Sequence, residues 1–278
     1  MKYMPDSWSF SKSQIWNTCK KMYYYTYVKR FDADDEGKAA KNLYQLTSLH
    51  LYKGELVHKE IERYILQELC GNAYDLNKAS VNASRQIDWM YKKMQTIERM
   101  NGKTVSEEQL NNAKAEISKC LHNFKSDIWP SIFDYPHVSI ESFDKFRCGD
   151  VDVLVKLDYV VKDKRSGIKI FDWKTGLKKG DDFYQSVVYA MHAMSKYGLD
   201  NEHVSVDMIY LSELNREVLV PDCKDIKEMK GRICDETDEM RSLQGIPEEN
   251  IGDHCMFCKY YTLCNQSKDR IYSEKVTV

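Results

Sequence analysis

The spacing of apolar positions divides this chain into a helical first half and a strand-bearing second half. Within residues 40–70, Val57, Ile61, Ile65 and Leu69 recur near the helical period, which predicts one long helix. Residues 9–30 read as an opening helix with an aromatic body of Tyr23, Tyr24, Tyr25 and Tyr27, followed by an acidic loop at 32–37. Residues 72–130 continue as polar, glycine-poor amphipathic pieces, including 87–100 and 107–124, and read as a helical insertion. Trp129-Pro130 marks a change of regime. Beyond it, residues 138–143 alternate with period two, 151–161 are β-branched, and 167–173 form another strand, with turn chemistry at 162–167 joining the last two. A helix at 181–196, strands at 204–211 and 217–220, and a polar helix at 225–243 complete the pattern. The mixture predicts an α/β (or α+β) fold with helices around a small central sheet.

Composition narrows the class. A chain of 278 residues suits one large domain or a core with an insertion. No run approaches 18 consecutive apolar residues, so no membrane-spanning helix is expected. The opening residues lack an apolar signal core, and nine cysteines without one predict a reducing, cytoplasmic compartment rather than a disulfide scaffold. Low glycine and proline exclude collagenous and low-complexity classes. The net charge of −2 conceals an asymmetry: residues 1–30 carry +5, 143–180 carry +4 and 221–253 carry −5. Such a chain can still turn a basic face toward a phosphate backbone.

Candidate chemistry gathers in the second half. Asp158 lies within one predicted strand, and Asp172-Trp173-Lys174 closes the next. Alternation puts Asp172 and Lys174 on one face, and hairpin pairing brings Asp158 toward them. Two acids with a same-side lysine suit metal-assisted phosphodiester cleavage. Carboxylates hold Mg2+ or Mn2+, the ion lowers the pKa of a water, and the lysine offsets developing charge. Read alone, the triplet is more ordinarily a surface ion pair at a strand end. Gln185 and Tyr189 stand one helical turn apart, and His58 lies on the predicted helix beside Val57 and Ile61. Cys70, Cys120, Cys148, Cys223 and Cys234 are isolated and read as small buried hydrophobes. Cys255, Cys258 and Cys264 instead crowd together with metal-ligand spacing, and the trio needs a fourth donor. Four thiolates suit either a [4Fe–4S] cluster or Zn2+, and His254 can replace one of them on zinc. No helicase-type phosphate loop is present, so any ATP-driven unwinding comes from another protein.

Taken in order, His58, Asp158, the D-x-K triplet, Q-x-x-x-Y and the cysteine trio resemble the PD-(D/E)XK nuclease superfamily in its RecB-like branch. Gly54 with His58 resembles the branch's G-x-x-x-H motif, and Cys19 with Tyr23 and Tyr27 resembles the opening of its iron–sulfur subset, which includes AddB-type subunits and CRISPR adaptation nucleases. Two departures stand out: Lys20 where the family usually has proline, and Val155 where a glycine commonly precedes the first acid. The resemblance implies one nuclease domain over 1–278 with a restriction-endonuclease-like mixed sheet, an insertion at 72–130, and a clasp of residue 19 with 251–264. It implies that His58, Asp158, Asp172 and the Trp173 carbonyl hold Mn2+ or Mg2+, with Lys174, Gln185 and Tyr189 completing the catalytic set. Cys19, Cys255, Cys258 and Cys264 would hold the [4Fe–4S] cluster. Single-stranded DNA or duplex ends are the implied substrate, in repair, recombination or CRISPR adaptation, with a helicase or an adaptation protein as partner. The competing expectation is a non-catalytic nucleic-acid-binding or scaffold module with a structural metal clasp.

Overall fold

A computed structural model of the chain describes residues 7–163 and 167–264. Six strands build one mixed sheet: β1 (Ser7–Ser9), β2 (His137–Cys148), β3 (Val151–Lys162), β4 (Ile168–Lys174), β5 (Val204–Tyr210) and β6 (Asn215–Leu219). The long strand β3 organises the rest. Along one edge it pairs antiparallel with β2. Its other edge is shared, with β1 parallel to Asp152–Leu154 and β4 antiparallel to Tyr159–Lys162. Residues 155–158 lie between those two partners and face no strand on that side. β4 then runs parallel to β5, which carries β6 at the far edge.

Helices cover both faces. Behind the sheet, Val153, Val155, Leu157 and Val160 of β3 pack with α9 (Asp182–Tyr197) and α10 (Cys223–Ser242) through Val187, Ala190, Met229 and Ile233. In front, Tyr159, Phe171, Trp173 and Ile209 pack against α4 (Leu49–Leu69) and the helices after it. Those helices are α5 (Leu76–Lys93), α6 (Ile97–Met100), α7 (Glu107–Asn123) and α8 (Trp129–Ile132). A π-helical turn at Phe124–Ile128 follows α7 and sets the Phe124 ring edge-on to Trp173, centroids 5.2 Å apart. Residues 72–130 thus bury Ile87, Ile117, Leu121 and Trp129 in the same core as Val57, Ile61 and Ile65 of α4. Each such side chain contributes about 1.5–3 kcal/mol on burial.

The chain departs from its sequence pattern at short breaks inside periodic segments. The opening helix is two, α1 (Phe10–Thr18) and α2 (Lys20–Tyr27), because Cys19 between them is extended at φ −161° and ψ 113°. The long helix predicted over 40–70 is also two. Asp34 caps α3 (Asp35–Tyr44) by accepting Gly37 N, which shortens the acidic loop, and Ser48 caps α4 by accepting Leu51 N. Thr96 caps α6, so the helix read over 87–100 ends at Lys93 and restarts. Burial holds for Cys120 and Cys148, but Cys70 and Cys223 are exposed at helix ends and Cys234 is half-exposed. Residues 164–166 of the expected turn lie outside the described residues. Among those described, no helix is long and apolar enough to cross a membrane.

Candidate active site

The site forms where β3 and β4 part. After Phe171, β4 leaves β3 and continues beside β5, with Asp172 opposite Met208 and Lys174 opposite Tyr210. The Trp173 N–H donates instead to Asp158 Oδ2 at 2.8 Å. On β2, the pairs Ile140–Tyr159 and Ser142–Leu157 place Glu141 across from Asp158. Glu141 has φ +43°, in the left-handed region that side chains rarely adopt. Alternation slips at the same level: Leu157 and Val160 pack behind the sheet, while Tyr159 and Val161 pack in front. The slip turns two carboxylates on adjacent strands toward the front. Like charges so placed repel, and a left-handed non-glycine residue costs of order 1–3 kcal/mol. Two destabilising features at one point mark a functional position.

From α4, His58 is laid over this pair, its Nδ1 3.3 Å from Glu141 Oε1 and 3.4 Å from Asp158 Oδ1. Gly54, one turn earlier, lets α4 lie against the segment after β4, since a Cβ there would stand 3.3 Å from Thr175 Oγ1. Among the described residues, His58, Glu141 and Asp158 form the one set of three His, Cys, Asp or Glu donors within 4.8 Å of one another. Lys156 Nζ lies 2.6 Å from Glu141 Oε2. Burial alone would lower the His58 pKa, but the Asp158 and Glu141 carboxylates outweigh it and lift the imidazole to about 10. Burial pushes Asp158 upward, yet His58, the Trp173 N–H and Lys174 hold it below the ordinary carboxylate range. The imidazolium is therefore the positive partner of two acids, at the place where a divalent ion with one nitrogen and two carboxylate donors fits.

Beside the triad a second polar group closes on itself. Lys174 Nζ lies 2.9 Å from Asp172 Oδ2 and donates to Gln185 Oε1 at 2.7 Å. Gln185 Nε2 donates to the Tyr189 hydroxyl at 2.6 Å, and that buried hydroxyl adjoins Asp172. This loop fixes which end of the Gln185 amide faces the lysine. Burial and the neighbouring Asp158 raise Asp172 to about 6, with Lys174 opposing them. The start of α9 is pinned by Asp182, which accepts from Lys179 N and the Tyr210 hydroxyl, both at 2.8 Å. Gln185 consequently meets Lys174, and Tyr189 one turn further along α9 meets Gln185. Both groups open into a cleft of about 1250 Å3 that His50, Lys59, Lys156, Lys178 and Lys179 also line.

Away from these two groups, Cys19, Cys255, Cys258 and Cys264 line one small pocket with Tyr25 and Tyr260. Asn250 Nδ2 donates to Thr18 O at 2.7 Å, Lys21 pairs with Glu249 at 2.6 Å, and Asn101 Nδ2 holds Cys258 O at 3.3 Å. Burial pushes the Cys258 thiol up to about 12 and the Cys264 thiol to about 11.

A family profile described as the PD-(D/E)XK nuclease superfamily matches residues 7–265. The chain belongs to that superfamily. Its mixed sheet with helices on both faces is the restriction-endonuclease-like fold, and members are in general metal-dependent nucleases acting on nucleic acid. No curated protein matches the chain. A solved structure described as the crystal structure of SSO0001 is similar over 77% of this chain and 96% of that one, at 12% identity and a TM-score of 0.35, a likeness too slight to carry an argument.

Every site residue named from the sequence falls into one of the two places, the cleft or the cysteine pocket. Within the cleft, Asp172 stands outside the tight donor set and is occupied by Lys174 and Tyr189. Glu141 takes the third place. The sequence pattern passes over it as an alternating strand residue, although a register count would have found it. Cys148 pairs with Val151 across the two-residue turn Gly149-Asp150, and equal counts back from that turn put Glu141 opposite Asp158.

Proposed function

We propose that the protein is a divalent-metal-dependent deoxyribonuclease of the RecB-like, iron–sulfur-containing branch, acting on single-stranded DNA or duplex ends. The observation that supports it best is the facing pair Glu141 and Asp158 beneath His58, with Lys174 held beside them. His58, Glu141 and Asp158 would hold Mn2+ or Mg2+, with the Trp173 carbonyl and Asp172 adjoining; the imidazole nitrogen favours Mn2+ over Mg2+. The bound ion supplies Lewis acidity toward the scissile phosphate and an acidified water. The chain's own residues do the rest. Asp172 and Gln185 hold the Lys174 ammonium where it can orient the attacking water and offset charge on the phosphate. Tyr189 fixes Gln185. The cleft lysines carry the strand's backbone.

In this reading residues 1–278 are one nuclease domain with an insertion at 72–130, and the four cysteines form a clasp of residue 19 with 251–264. Four thiolates suit a [4Fe–4S] cluster or zinc, and the resemblance to the iron–sulfur branch favours the cluster. Repair, recombination or CRISPR adaptation, with a helicase or an adaptation protein as partner, are the settings such an enzyme serves.

The test incubates purified protein with labelled single-stranded and duplex DNA and Mn2+ or Mg2+. Cleavage by the wild type, lost by at least about a hundredfold in Lys174→Ala and Asp158→Ala, is expected. DNA left intact by the wild type with either ion would leave the binding or scaffold module as the better account.

A further inference from the structure

The cleft does not stop at the metal donors. Beyond Glu141 on the same strand, Phe143 is 71% exposed and lines the cleft floor. Cross-strand pairing sets it opposite Lys156, two positions from Asp158 on β3. Leu154 and the first turn of α1, at Ser9, Phe10, Ser11 and Gln14, continue this arm of the cleft. Leu177 at 70% and Leu51 at 56% are further exposed apolar side chains of the lining. An exposed phenylalanine beside lysines is neither a core residue nor part of the charge network.

We propose that Phe143 is a specificity-determining residue that stacks on an unpaired base of the substrate strand, with Lys156 beside it taking the adjoining phosphate. The inference rests on the nuclease reading above and adds the feature by which the cleft selects its strand. Aromatic rings accept any base, because every base offers a flat face. In a duplex those faces are spent on neighbouring base pairs, whereas in a single strand they are free. A cleft floored by an exposed ring and edged by lysines therefore holds a single strand through ring and backbone together, and a duplex through the backbone alone. Lys156 stands 2.6 Å from Glu141 and is itself largely exposed, so its ammonium can reach from the acid to a phosphate laid along β3. Placed two residues from Glu141, Phe143 holds a base within one nucleotide or so of the scissile linkage.

The experiment measures binding of a fluorescent single-stranded DNA and of its blunt duplex, by anisotropy in EDTA so that nothing is cut. Wild type, Phe143→Ala and Phe143→Trp are compared, with thermal unfolding as a check on folding. Phe143→Ala should weaken single-strand binding about fivefold or more, leave duplex binding within twofold, and be rescued by Phe143→Trp. A Phe143→Ala protein that holds single strands as the wild type does, or that loses both forms equally, overturns the proposal while leaving the nuclease reading intact. A wild type that binds neither DNA, and cuts neither when Mn2+ is restored, overturns both.

Discussion

At the scale of single residues, the site joins two pieces of electrostatics that need each other. Glu141 and Asp158 repel across the strand pair, and the His58 proton holds them together. Loading a divalent ion must expel that proton. Because the imidazole is raised to about 10, it is protonated at neutral pH, and Mn2+ affinity should rise with pH by up to about tenfold per unit between pH 6 and 8. Titration calorimetry in buffers of different ionisation enthalpy reads both the affinity and the released proton. An affinity flat across that range would show that no His58 proton is released. Glu141→Gln removes one of the two charges and should weaken Mn2+ binding by at least about tenfold, whereas a change of twofold or less would remove Glu141 from the donor set.

At the scale of elements, the first strand and helix are locked to the last helix by one buried carboxylate. Glu236 on α10 accepts Trp8 Nε1 at 2.8 Å, Ser13 Oγ at 3.0 Å, Asn17 Nδ2 at 2.7 Å and Arg232 Nε at 2.8 Å. Burial opposes its charge, but these donors outweigh it and hold its pKa below the ordinary 4.5. Its stabilisation is therefore complete above pH 4.5 and fades as pH falls through the lower folded value. Glu236→Gln should cost about 1–3 kcal/mol at pH 7, and the gap in urea midpoint between the two proteins should narrow at pH 4 and below. A gap that stays constant would place the effect in packing rather than charge. Much of this level was legible in advance. Val57, Ile61 and Ile65 do form one helical face, and the β-branched run at 151–161 is the central strand. The helix breaks at Cys19 and at 45–48 were not, because each turns on one residue inside an otherwise periodic segment, an extended backbone at Cys19 and a capping hydroxyl at Ser48. The Trp8–Glu236 lock was not either, since nothing local in the chain pairs residues so far apart. In the candidate site, Asp158, Asp172, Lys174, Gln185 and Tyr189 carry a readable spacing. Glu141 is specified only by register and by a left-handed backbone, and alternation cannot express either one.

At the scale of the whole molecule, the cysteine pocket joins the two ends of the described chain, with Asn250 on Thr18 and Lys21 on Glu249 around it. If those thiolates hold an iron–sulfur cluster, the protein should be brown, with broad absorbance near roughly 400 nm. Cys258→Ser should then lose that colour together with bound iron and unfold at lower temperature. A colourless wild type containing stoichiometric zinc would replace the cluster while leaving the cleft's chemistry untouched. The same closure of ends bears on how the protein is born. Trp8 meets its partner 228 positions downstream, and β1 has no neighbour until β3 exists. On a ribosome, this segment emerges well before its partners and is thus among the last to settle. Its polar and apolar side chains must stay in solution until α10 has been made and can receive them.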